Sequence, residues 1–172
     1  MLLLLTSITL ASKEAMKEPI RVALTKLAAL QSRKCSELNG LYTDQAVILE
    51  PSSGTVQGKE KIVKNCQEFI QSLKHFQVSI QHVHLTDNQV LVSWTWFGVT
   101  INDCMFHIDG YTHFQLDPKN RIEKETDFYD VDELKRRLRC ETKKATPTAS
   151  STAKKEDEKV IEIEVNQLEE FI

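Results

Sequence analysis

The chain contains no run of about eighteen apolar residues, the length a bilayer-spanning helix needs, so no segment is expected to span a membrane. It has no basic excess either. The formal net charge is −3 over 172 residues, which argues against nucleic acid as a partner. A glycine-rich phosphate loop, an HExxH pair and a GxSxG elbow are all missing. Nucleotide hydrolysis, zinc proteolysis and serine hydrolysis therefore have no support, and no cofactor is expected. The four cysteines, Cys35, Cys66, Cys104 and Cys140, form no CxxC pair and are few for a disulfide scaffold. They read as four free thiols in a reducing compartment, with no structural zinc or other metal. A soluble cytoplasmic protein is the expectation. One feature pulls against it: Met1 to Ala11 is apolar like the core of a signal peptide, but lacks a Lys or Arg ahead of it. A cleaved signal, a first helix packed on the domain and a start placed too far upstream all stay open.

What is present orders itself along the chain. Ser12 could cap the helix formers at 13–18, and Pro19 interrupts or restarts the helix. Ile20, Ala23, Leu24, Leu27 and Ala28 then share one stripe at helical spacing, with Lys26, Arg33 and Lys34 off it and open to solvent. A strand at 46–50 is stopped by Pro51-Ser52-Ser53-Gly54, and Gly58 opens a helix carrying Ile62, Cys66, Phe69, Ile70 and Leu73. From residue 76 the period becomes two. Phe76, Val78 and Ile80 form one row and Val90, Val92, Trp94 and Trp96 the next. A long strand runs from about Met105 to Leu116, and a last one spans 121–129 with Ile122, Thr126 and Phe128 on one face. Val131 begins a short final helix bearing Arg136, Arg137 and Arg139. Helices followed by a meander of long strands is an α+β pattern. Residues 1–140 read as one domain and 141–172 as a disordered charged tail, in which 160–165 regains the alternation of a short edge strand.

Once these elements are placed, a family resemblance emerges. Gly40-Leu41-Tyr42-Thr43-Asp44-Gln45-Ala46 through Pro51 resembles the "LY-x-D-D-A-x-x-x-D-P" segment of nuclear transport factor two-like domains. That superfamily includes ketosteroid isomerases, scytalone dehydratase and SnoaL-like polyketide cyclases. Gly54 to Ile62, Gly110-Tyr111-Thr112-His113-Phe114 and Arg121-Ile122-Glu123-Lys124 resemble its following helix and its closing strands. The resemblance covers roughly residues 20–132. It implies a cone-shaped, curved antiparallel sheet wrapped around the N-terminal helices, an apolar pocket at the open end, and a homodimer packed through the outer sheet face. On that frame Tyr42, Ile48, Phe69, Val92, Trp94, Trp96, Phe106, Thr112 and Phe114 are expected at the pocket. Tyr111, His113, Glu123 and Glu125 are expected on the dimer face.

The candidate chemistry is sparse. Glu50 matches the position where ketosteroid isomerases carry a proton-moving Asp, and a carboxylate at the mouth of an apolar pocket could act as a general base. The isomerase's oxyanion-hole positions fall near Lys26 and on Thr112, neither of which is the neutral acidic donor that chemistry requires. His82 and His84 share a strand face with Ile80 and could shuttle a proton. His107, Asp109, Tyr111 and His113 share another, read as the outer face because Phe106, Ile108, Thr112 and Phe114 make the better inner row. Two functions stay open. The preferred one is a dimeric binding module whose pocket holds a small apolar ligand or a protein partner. The other is a proton-transfer enzyme (isomerase, dehydratase or cyclase) using Glu50 with a histidine.

Overall fold

The computed structural model describes residues 17–140. The apolar stretch 1–11, the Ser12 cap, the first residues of the expected leading helix, the tail at 141–159 and the alternating segment 160–165 all lie outside the described residues.

Helix α1 spans Glu18–Gln31 with Pro19 in its first turn, where a missing N–H leaves no bond unmade. A short 3₁₀ helix follows at Cys35–Gly40, then β1 (Tyr42–Glu50), β2 (Gly54–Gln57), α2 (Lys59–Gln71), β3 (Leu73–Thr86), β4 (Gln89–Thr100), β5 (Met105–Leu116), β6 (Ile122–Tyr129) and α3 (Val131–Leu138). The six strands form one curved, unclosed sheet in the order β2-β1-β6-β5-β4-β3. Only the β1–β6 pairing is parallel; its neighbours are antiparallel. The turn at Pro51 therefore does not simply end a strand. It folds the chain back, pairing Glu50 with Gly54.

The sheet wraps α1, which explains a departure from the helical stripe. Lys26, expected in solvent, is 4% exposed, because apolar neighbours cover α1 on nearly every side. β4 runs through Gly98 to Thr100. The position is glycine because the Phe106 ring packs against it: a Cβ there would lie 2.3 Å from that ring.

One-residue bulges in β3 and β6 decide which side chains face inward. Ile80 pairs with Trp94 and His82 with Ser93, so Gln81 bulges out of the β3 ladder. Ile80 and Val83 then face the core, while His82 and His84 point outward, parted from Ile80, whose face they were expected to share. On β6, Leu116 pairs with Ile122 and Gln115 with Lys124, so Glu123 is the extra residue. Beyond it the parity is reversed: Glu125 and Asp127 are buried and Phe128 is exposed. Thr126 and Phe128 therefore do not share the inner face with Ile122, and Glu125, expected on the dimer face, points inward. An inserted residue that re-aims the side chains beyond it is the usual consequence of a bulge.

The reading of four free thiols is also corrected. Cys35 is bonded to Cys66, tying the 3₁₀ helix to α2, and Cys104 to Cys140, tying the start of β5 to the end of α3. Sequence distance concealed both pairs: 31 and 36 residues separate partners that the fold brings within 5.8 and 4.9 Å between Cα atoms.

Candidate functional site

A cavity of about 240 Å³ opens between α1, α2, α3 and the inner face of β1 and β6. Leu30, Leu38, Ile48, Ile62, Phe69 and Leu134 form most of its apolar wall. Into it project Lys26 from α1, Tyr42 and Glu50 from β1, and Glu125, Asp127 and Tyr129 from β6. Alternation at the end of β1 puts Ile48 and Glu50 on this side, Tyr42 reaches it from before the irregularity between Tyr42 and Val47, and the Glu123 bulge turns in the three β6 residues.

The polar groups form two connected sets. In the first, the Lys26 ammonium lies 2.6 Å from Glu125 Oε1, and the Tyr42 hydroxyl donates to Glu125 Oε2. Burial alone would disfavour the Lys26 charge. The facing Glu125, followed by Asp127 and Glu50, outweighs it and holds the ammonium above its ordinary pKa. Burial, with the Glu125 charge beside it, pushes the Tyr42 hydroxyl well above its usual range. This set is locked: a charged pair with a phenol that keeps its proton.

The second set is a relay. Trp94 Nε1 donates to Thr112 Oγ1 at 2.8 Å, and Thr112 Oγ1 donates to Asp127 Oδ1 at 2.6 Å. Asp127 is 5% exposed and lines the cavity. Its other oxygen, Oδ2, has no hydrogen-bond partner among the described residues. Burial first, and then the Glu125 charge, raises the Asp127 carboxyl to about 7, against the opposing pull of Lys26 and the Thr112 bond.

The expected residues divide by position. Tyr42, Ile48, Phe69 and Trp96 line the cavity, while Val92, Trp94, Phe106, Thr112 and Phe114 are buried in the layer beneath it. Glu50 is at the rim, half-buried, where Ser52 and Ser53 engage both of its oxygens. His82 and His84 are exposed on the opposite side of the sheet, and none of the five histidines lines the cavity. Tyr111, His113 and Glu123 are on the outer face.

Asp127 and the Lys26–Glu125 pair were not foreseen as site residues. The signal available was three carboxylates and a tyrosine crowded into Glu123–Tyr129, but period two without the bulge puts all four outside, which is wrong for Glu125, Asp127 and Tyr129.

A curved sheet wrapped around a helix, with a cavity and titratable groups on its inner face, is a fold shared with known proteins. The SnoaL-like domain model matches residues 25–124. The chain belongs to the SnoaL-like family. Solved structures share the fold at low identity. A protein assigned as a SnoaL-like polyketide cyclase from Shewanella denitrificans is 18% identical, with a TM-score of 0.64 over 70% of this chain and 96% of that one. An LEH-like epoxide hydrolase from M. tuberculosis is 21% identical, with a TM-score of 0.61 over 70% of this chain and 89% of that one. A protein with a ketosteroid isomerase-like fold from Catenulispora acidiphila, solved with trimethylamine, is 16% identical, with a TM-score of 0.61 over 65% and 87%. No curated protein sequence matches the chain.

Proposed function

We propose that the cavity takes up a small, largely apolar molecule and that Asp127 moves a proton on it. The observation that carries this is Asp127 itself: buried, with one oxygen uncommitted toward the cavity and a pKa of about 7. A carboxyl poised there is present as acid and as carboxylate in comparable amounts at neutral pH, so one group can take a proton and return it. Asp127 is the catalytic residue of this reading. Thr112, held by Trp94, positions it, and the Lys26–Glu125 pair with Tyr42 fixes the field around it.

The reaction class is proton transfer, as in an isomerisation, dehydration or cyclisation. The cyclase and epoxide hydrolase that share the fold support a small organic substrate. Glu50 adds rim charge, since Ser52 and Ser53 occupy its oxygens, and no histidine takes part. A module that only bound an apolar ligand would have no use for a carboxyl kept near neutrality at the cavity wall.

Carboxyl-carbon NMR of Asp127 tests the proposal without knowledge of the substrate. A midpoint near 7 is expected, and one near 4 overturns it.

Two further readings go with this one. The outer sheet face exposes Phe97, Tyr111 and Phe128, each at least 40%, with Tyr111 and Phe128 stacked at 4.6 Å; we infer that a second copy covers it. No helix among the described residues is long and apolar enough to cross a membrane. The two disulfides are bonds that oxidising compartments sustain, so we infer a working place there rather than in the cytoplasm. Thiol labelling of protein isolated under non-reducing conditions checks this; four reactive cysteines would refute it.

A further inference from the structure

Resting on the reading of the cavity as a ligand site, we propose that its ligand is a small organic cation, an apolar amine or quaternary ammonium whose charged head lies against Trp96 and is faced by Asp127. Two independent features of the wall point there. The first is aromatic. Trp94 stacks on one face of Trp96 at 4.2 Å and is itself beneath the cavity, which leaves the other face of Trp96 for the cavity side. The Phe69 ring is 5.6 Å from Trp96 between centroids, the Tyr129 ring stands beside the stack at 6.2 Å from Trp94 and 6.1 Å from Trp96, and Phe69, Trp96 and Tyr129 all line the cavity. Ring faces grouped around an enclosed space attract a cation through their quadrupoles, most strongly where water is excluded.

The second feature is charge. Among the described residues Lys26 is the only Lys or Arg in the lining, and Glu125 already neutralises it at 2.6 Å. Asp127 and Glu50 remain, so the lining has surplus negative charge. Asp127 offers the decisive group, a buried carboxyl with Oδ2 left unpartnered. A metal ion is a poor match for this charge. No cluster of three or more ligating side chains converges among the described residues, and an aromatic wall supplies no ligands to a metal. An anionic ligand would meet like charge, and a neutral one would leave the surplus unanswered.

The charged and titratable groups facing Asp127 are Lys26 on α1, Tyr42 and Glu50 on β1 and Glu125 on β6, with the Thr112 hydroxyl on β5. Asp127 titrates near neutrality. A fixed cation binds its ionised form better, so affinity must rise with pH through about 7.

Both tryptophans of the chain, Trp94 and Trp96, are at the site, so intrinsic fluorescence reads occupancy directly. The probes are phenyltrimethylammonium, whose charge does not depend on pH, and its neutral isostere tert-butylbenzene. At pH 8 the cation is expected to bind at least about tenfold more tightly than the isostere, an advantage of the size cation–π contact plus one buried charge can supply. That advantage shrinks severalfold at pH 5.5. Asp127→Asn removes it at both pH values, and Glu50→Gln, at the rim, reduces it in part. If the isostere binds as well as or better than the cation at pH 8, the cation proposal fails and the ligand-site reading survives. If neither probe binds while the protein melts normally, both fail. Should Asp127→Asn not fold, the pH dependence of the wild type and the Glu50→Gln variant decide the question.

Discussion

Asp127 carries a stability consequence whose sign can be worked out. Its folded pKa of about 7 stands above the ordinary 3.8, so between these values the folded chain holds a proton that the unfolded chain has lost. The native state is then favoured at the acid end of the window, and stability declines as pH rises from about 4 to about 7. The displacement amounts to about 4 kcal/mol in all from this one group. Asp127→Asn lacks that slope. It should match the wild type below pH ~4 and exceed it above pH ~7, in urea melts at both ends of the range. Equal stability at both ends would show that Asp127 ionises normally. Lys26 gives the opposite case. Lys26→Met strands the Glu125 carboxylate in the interior and should cost about 3–5 kcal/mol, whereas Lys26→Met with Glu125→Leu should recover most of it. A double variant no better than the single one would deny the pair its role.

At the scale of elements, the bulges decide what the sheet presents. Deleting Glu123 would restore strict pairing of β6 with β5, and either Ile122 or the row Glu125, Asp127, Tyr129 must then turn outward. Both outcomes bury charge or expose core, so the melting midpoint should fall by roughly 10 °C or more, and the Asp127 signal near pH 7 should vanish. A deletion variant that melts normally and keeps that titration would mean the bulge does not aim the site. The same feature marks how far the sequence can be read. Alternation located β3, β4 and β5 with their turns, and found the inner row Phe106, Ile108, Thr112 and Phe114, because the unbroken β4–β5 ladder has period two from end to end. It failed at Gln81 and Glu123, where one added residue changes parity without any mark in composition. Lys26 was missed for a related reason. A helical stripe presumes one buried side, and a helix enclosed by a curved sheet has almost no other.

For the molecule as a whole, the exposed aromatic face sets the expected assembly. In a two-fold interface each substitution is felt twice, so Tyr111→Glu should shift the protein toward monomer in sedimentation equilibrium. A wild type that stays monomeric at high concentration would dispose of the dimer. Each disulfide closes a loop of more than thirty residues and should contribute about 3–4 kcal/mol through the unfolded chain. The two are not equally placed. Cys35 and Cys66 are 4% and 5% exposed, whereas Cys140 is at the surface with Cys104 beneath it. An attacking thiolate needs a path to sulfur, so a mild reductant should open Cys104–Cys140 first, with alkylation of those two cysteines preceding that of the buried pair. That bond fastens the end of α3, the helix whose Leu134 and Leu138 help wall the cavity. The chain would then pass through a half-reduced form with its core intact and its chamber ajar, and the thiol balance of its surroundings would set how long a bound molecule stays.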